Sequence, residues 1–194
     1  MAKKSNRNTR GRIVSAAWKL FYEQGYEDTT VEEIIELSGT SKGSFYHYFD
    51  GKDALLSTLS SLFDEKYEEL TGLLTPEMTA MEQLLFLNRE LFHMIEDSIS
   101  LDLLARLYST QLTTNGEKHL LDHNRIYYKL LRKIIAKGQD EGQLSHHSNV
   151  NEMVKLYALC ERALLYDWCL CAGEYALTEY SAKVLPGFLS SFLP

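Results

Sequence analysis

Proline is scarce, with three in 194 residues, so little in the chain interrupts helix formation. Cysteine is scarce too: Cys160, Cys169 and Cys171 are an odd number that cannot close into a disulfide framework, and free thiols in a reducing compartment are expected. No uncharged apolar run approaches the ~20 residues of a membrane helix, and no apolar signal segment follows Lys3-Lys4. A cytoplasmic protein with no membrane partner is therefore expected. Catalytic signatures are also missing. There is no glycine-rich phosphate loop, no Gly-x-Ser-x-Gly turn and no His-Glu-x-x-His pair. Glu32, Glu33 and Glu36 read as a solvated helix face opposite Ile34 and Ile35, not as an acid/base pair. No catalytic residue, no cofactor and no enzymatic activity are expected.

Net positive charge is lacking overall, at −7, but the charge is unevenly placed. Lys3, Lys4, Arg7, Arg10 and Arg12 stand together without an acid among them. Residues 1–50 balance seven bases against seven acids, and residues 51–194 hold thirteen bases and twenty acids. An acidic body repels phosphate, which confines any nucleic-acid contact to the N-terminal end. Hydrophobic residues make up 45% of the chain, enough for one large or two small helix-rich domains.

The most informative stretch runs from Thr30 to Lys52. Thr30 and Glu33 form a capping box, and Val31, Ile34 and Ile35 share one face of a short helix. Gly39 supplies the left-handed turn that stops it. Ser41 caps a second helix whose Phe45 and Phe49, four apart, point inward. Two short helices around a glycine turn make a helix-turn-helix, whose second helix can enter a major groove. Its outward residues Lys42, Ser44, Tyr46 and His47 are donors or mixed donors and acceptors, with no carboxylate between Ser41 and Phe49. Gly43 permits close backbone approach, and the helix N-terminus favours an anion. A solvated polar face on a small bundle is the dull alternative.

The run Thr29-Thr30, Ile34, Gly39, Ser41, Gly43, Tyr46, Phe49, Lys52, Leu55 resembles the N-terminal domain of the TetR family of transcriptional regulators over about Thr9 to Leu56. Ile35 and Ser38 stand where that family usually has alanine, Thr40 where it has valine, and Tyr48 at the usual histidine position, with His47 beside it. The resemblance implies a DNA-binding domain over residues 1–51 and a helical regulatory and dimerisation domain over 52–194, all-α and about nine helices in total. Its DNA-contacting set is expected to be Thr30, Thr40, Ser41, Lys42, Gly43, Ser44, Tyr46, His47 and Lys52.

Along the chain, residues 1–8 read as a mobile basic arm, and a helix from Thr9 carries Ile13, Ala16, Ala17, Leu20 and Phe21 to a stop at Gly25. A longer helix runs from Lys52 through Leu70, broken by Gly72 to Pro76. Helices follow over Met78 to about Glu96, Leu101 to about Leu112 and Glu117 to Gln139. From Val150 to Cys171 apolar residues occupy nearly every side, which places that helix at the core centre or in a subunit interface. The last helix, Thr178 to Phe192, is expected to kink or break at Pro186-Gly187. The resemblance implies that the last two helices pair with their copies, so that a homodimer reads a palindrome.

Phe86, Phe92, Tyr108, Tyr127, Tyr128, Tyr157 and Trp168 can line a cavity between helices or fill an ordinary aromatic core. The resemblance implies that this domain holds a small-molecule effector. His119, His123, His146 and His147 read as structural or solvated, and no metal site is expected. The overall expectation is a homodimeric repressor released from a double-stranded DNA operator by an effector. The alternatives are a helical protein-interaction module and a thiol-based redox-responsive regulator.

Overall fold

The computed structural model describes residues 2–113 and 118–194, with side chains from Thr9 onward. The chain is helical: α1 (Ala2–Gln24), α2 (Val31–Ser38), α3 (Lys42–Tyr48), α4 (Lys52–Leu56), α5 (Leu59–Thr71), α6 (Ala80–Ser98), α7 (Leu101–Thr113), α8 (Ile126–Asp140), α9 (Val150–Leu170) and α10 (Leu177–Leu189). Short 3-10 turns occupy His119–Leu121 and Ser190–Phe192, and no strand occurs among the described residues.

The first three helices close around Ile13, Ala17, Phe21, Ile34, Phe45 and Phe49, all buried. Phe21 packs on Tyr26 with ring centroids 5.0 Å apart. Helix α1 begins at Ala2, so the basic arm expected to be mobile is helical backbone; its side chains lie outside the described residues. The helix expected from Lys52 to Leu70 is interrupted after Leu56. There the hydroxyls of Ser57, Thr58 and Ser60 donate to the carbonyls of Ala54, Leu55 and Ser57, each three residues back. Such local bonds compete with the i−4 ladder and tighten the turn. Trp18 Nε1 donates to Thr58 Oγ1 at 2.9 Å, tying α1 to this break.

The larger part of the chain wraps α5 to α10 around Tyr67, Leu84, Phe92, Leu104, Leu131, Ile135, Tyr157 and Leu185, continuous with the N-terminal core. Helix α8 starts at Ile126; Glu117, its expected start, lies outside the described residues. Arg125 precedes it and grips Asp64 of α5 with two hydrogen bonds of 3.0 and 3.1 Å. Helix α10 lies along α6, and Glu96 of α6 accepts from the backbone N–H groups of Leu177 and Thr178, capping α10 at its positive end. Pro186 sits inside α10 without ending it.

Gly138 of α8 packs closely against Ala80 of α6 and Leu144. A Cβ there would lie 2.5 Å from Ala80 Cβ and 2.8 Å from Leu144 Cδ1, whereas at Gly11 of α1 it would meet nothing within 4 Å. Overpacking of about 1–3 kcal/mol then outweighs the ~1 kcal/mol that alanine contributes through helix propensity. Gly138→Ala should lower unfolding stability and Gly11→Ala should raise it, both read as urea midpoints; equal shifts of one sign would reject the close contact.

Candidate nucleic-acid interface and a buried polar cluster

Helix α2 starts in a capping box. Thr30 N–H donates to Glu33 Oε2 at 2.8 Å, and Thr30 Oγ1 accepts from Glu33 N–H at 3.2 Å. The backbone bond from Thr30, then its hydroxyl and Gln24, hold the Glu33 carboxyl below the usual carboxylate range. The helix ends at Gly39 (φ 59°, ψ 36°), whose N–H returns to Glu36. A cation grips each flanking turn. Arg12 of α1 donates from Nε to Ser38 O at 2.9 Å and from its guanidinium fork to the carbonyls of Ser38 and Gly39. Lys52 donates to the carbonyls of Tyr26, Glu27 and Thr29 at 2.6, 3.2 and 2.9 Å and lies 4.2 Å from the Tyr26 ring centroid.

Helix α3 is capped by Ser41, whose hydroxyl accepts from Ser44 N–H at 3.1 Å and pairs with the Ser44 hydroxyl at 2.9 Å. Phe45 and Phe49 are buried, which turns Lys42, Gly43, Tyr46 and His47 to the exposed side; Ser44 is half-buried. Lys42 reaches Glu32 of α2 at 3.3 Å with both side chains about two-thirds exposed, an ion pair that solvent makes weak. Thr30 and Ser41 are exposed at neighbouring helix starts, while Thr40 is half-buried and shares a 2.7 Å bond with Ser38. Lys52 departs from the rest. Its three N–H bonds are engaged by carbonyls, leaving only its charge to act on a phosphate. Arg12, counted in the sequence among the five acid-free N-terminal cations, likewise spends its donors on carbonyls.

A second polar group lies deep in the helical body. Glu161 of α9, 4% exposed, accepts from Asn88 Nδ2 of α6 at 2.8 Å and from the Tyr127 hydroxyl of α8 at 2.6 Å. Asn88 in turn accepts from the Ser181 hydroxyl of α10 at 2.5 Å. Burial raises the Glu161 carboxyl above its ordinary range, against the bonds from Tyr127, Asn88 and Tyr157 and the charge of Arg162. A cavity of about 50 Å³ adjoins Glu161, bordered also by Tyr67, Tyr108, Tyr127, Arg125 and Arg162. The Tyr67 hydroxyl is buried with no hydrogen-bond partner.

Of the aromatic residues expected around a ligand, Tyr108 and Tyr127 line this cavity. Tyr128 packs against Tyr127, with ring centroids 4.8 Å apart, and Tyr157 bonds the Leu84 carbonyl at 2.8 Å. Phe92 is core, Phe86 lies in a groove between α6 and α10, and Trp168 donates to the Tyr175 carbonyl at 2.9 Å. His123 packs on Tyr128 with ring centroids 4.7 Å apart, and the His146 ring bonds the Gln139 carbonyl. Among the described residues no group of three or more His, Cys, Asp and Glu side chains converges. Sequence reasoning missed Glu161, Tyr67 and Asn88; the available signal was that Glu161 falls at helical spacing on the apolar face of Tyr157, Leu164 and Trp168.

An unpaired buried hydroxyl costs about 1–3 kcal/mol, and removing it leaves no partner unsatisfied. Tyr67→Phe should therefore raise unfolding stability by about 1 kcal/mol or more in a denaturant titration; a fall in stability would show that the hydroxyl is bonded in the folded chain.

Residues 13–59 match the family model described as bacterial regulatory proteins, tetR family. Over 62 residues the chain is 36% identical to the HTH-type transcriptional regulator QacR of Staphylococcus aureus, covering 32% of this chain and 33% of that protein. Such matches span about a third or less of those relatives' own length. A longer likeness joins the chain to the fatty acid metabolism regulator protein of Bacillus subtilis, 23% identical over 178 residues and covering 90% of both. The structure of Thermus thermophilus FadR, a TetR-family transcriptional repressor in complex with lauroyl-CoA, superposes with a TM-score of 0.75 at 26% identity, covering 95% of each chain. With the capped helix pair at their centre, residues 13–59 belong to the N-terminal domain of the tetR family of bacterial regulatory proteins, and the helical body behind them shares the fold of the solved TetR-family repressor.

Proposed function

We propose that the chain is a homodimeric repressor that binds a palindromic double-stranded DNA operator through residues 1–51 and leaves it when a small molecule occupies residues 52–194. The observation that carries this reading is the exposed, carboxylate-free edge of α3, set at a capped helix start and held by Arg12 and Lys52. Lys42 contacts a base or phosphate near that start, and Ser44 reads a base edge. Gly43 allows the backbone to come close, while Thr30, Thr40, Ser41, Tyr46 and His47 fix register on the phosphates without reading sequence. Lys52 adds charge and keeps the turn in shape.

A second copy fits the outer face of α9. Leu159, Tyr166 and Leu170 are 52%, 46% and 66% exposed, Ala163 lies between them at helical spacing, and Tyr180 of α10 is 41% exposed. Of the two places expected for this helix, the stripe favours the subunit interface over the core centre. It suits the self-complementary contact of a two-fold dimer. A thiol-based sensor has less support, because burial pushes the Cys160 and Cys169 thiols up to about 11, leaving little reactive thiolate.

Binding is tested by selecting duplexes from a random pool and titrating salt. Lys42→Ala should weaken all sequences alike and reduce the salt slope by about one. Ser44→Ala should change the base preferred at one operator position, with about 1–3 kcal/mol lost there; equal loss on selected and random duplex would defeat the base-reading role. No binding to random duplex even at low salt would favour a protein-interaction module instead.

The Tyr166→Glu, Leu170→Glu double variant should sediment as a single chain and lose affinity for the palindrome. A variant that stays dimeric would move the interface elsewhere.

A further inference from the structure

Glu161 is the only buried carboxylate among the described residues, and it has no cation in hydrogen-bond contact. Its donors, the Asn88 amide and the hydroxyls of Tyr127 and Tyr157, are all neutral and leave at least one of about four acceptor positions open. The nearby guanidinium groups are engaged elsewhere: Arg125 by Asp64, and Arg162 by the Tyr128 hydroxyl at 3.2 Å. A buried carboxylate with no cation bonded to it is costly, and a cation brought into contact reduces that cost. Beside it, the Tyr67 hydroxyl has no partner, and the Tyr67 and Tyr127 rings lie 4.9 Å apart. Aromatic faces are negative and attract ammonium groups.

We infer that the cavity beside Glu161 receives the head group of an organic monocation, an aliphatic ammonium ion, with Glu161 as counter-ion and the Tyr67 hydroxyl as a hydrogen-bond partner. This rests on the reading that the helical body takes a small-molecule effector, and it names the class. The space of about 50 Å³ suits a compact head group, since about 10–15 Å³ of such space holds one water-sized group. A carboxylate head would be repelled there, and an acyl chain would leave Glu161 and Tyr67 unanswered. Arg162 at the border disfavours a second positive charge.

The test is calorimetric titration of the full chain at neutral pH with ethyl- to hexylammonium, the matching alcohols and carboxylates, and lauroyl-CoA. An ammonium should bind at least about tenfold tighter than its alcohol, the advantage of a charged over a neutral hydrogen bond. Glu161→Gln should erase that preference, and Tyr67→Phe, which keeps the core intact, should weaken the ammonium several-fold. Absence of ammonium binding, equal binding of alcohol or carboxylate, preference for lauroyl-CoA, or indifference to Tyr67→Phe in a folded variant overturns the inference. Operator binding is measured separately without ligand: a chain that binds DNA but ignores ammonium ions refutes this inference alone, and one that ignores DNA refutes the repressor reading.

Discussion

The eight residues of α2 sit between two turns whose carbonyls are each held by a cation from another helix, and the exposed edge of α3 takes its orientation from that bracket. Helices this short are not stable alone. Burial of Ile34, Phe45 and Phe49 against α1 supplies attraction, but apolar contacts are not directional, so they do not fix how α3 is aimed. The cations do. Helix α2 has Glu32 and Glu33 in its first turn and no basic residue in its last, and Arg12 supplies the missing positive charge from α1. Lys52 does the corresponding work on the α1–α2 turn and sets its ammonium group over the Tyr26 ring.

Tyr26 is also where the helical body meets the N-terminal helices. Lys52 lies on one contact with its ring and Arg106 of α7 on another, 5.0 Å from the centroid. Its hydroxyl donates to Asp53, and Arg106 pairs with both Glu27 and Asp102. Two residues along α7, Tyr108 borders the cavity beside Glu161. A shift of α7 that makes room at Tyr108 is therefore felt at Tyr26. Couplings of about 1–3 kcal/mol suffice for a 5- to 150-fold change in affinity, which is within what a rearranged ion pair and ring contact can supply.

How much of this was legible depended on whether the cause was local. The Thr30–Glu33 capping box, the Gly39 stop and the Ser41 cap all act within four residues, and each stands where the pattern placed it. The break after Leu56 was missed because apolar spacing continues through it, while the deciding hydroxyls of Ser57, Thr58 and Ser60 leave no mark on that spacing. Arg12 and Lys52 looked like free basic residues, since their carbonyl partners lie 23 to 27 positions away in the chain. The cavity was half-legible. Its aromatic residues were visible by type, but the assembly of Glu161, Asn88 and Tyr67 from three helices is a tertiary fact.

A stable core would not choose a carboxylate at Glu161 or leave Tyr67 unpaired, because apolar residues of the same shape are usually neutral or better. Departures from local consistency of this kind concentrate where a site must respond to something. The arrangement also gives the response a direction. Glu161 is joined through Asn88 to Ser181, so the chain of bonds crosses α9, α6 and α10. The exposed stripe on α9 and Tyr180 on α10 belong to the same two helices. A group that competes with Asn88 for Glu161 would loosen the seating of α10 on α6, and in the proposed dimer on α9 and α10 that would change the distance between the two α3 helices.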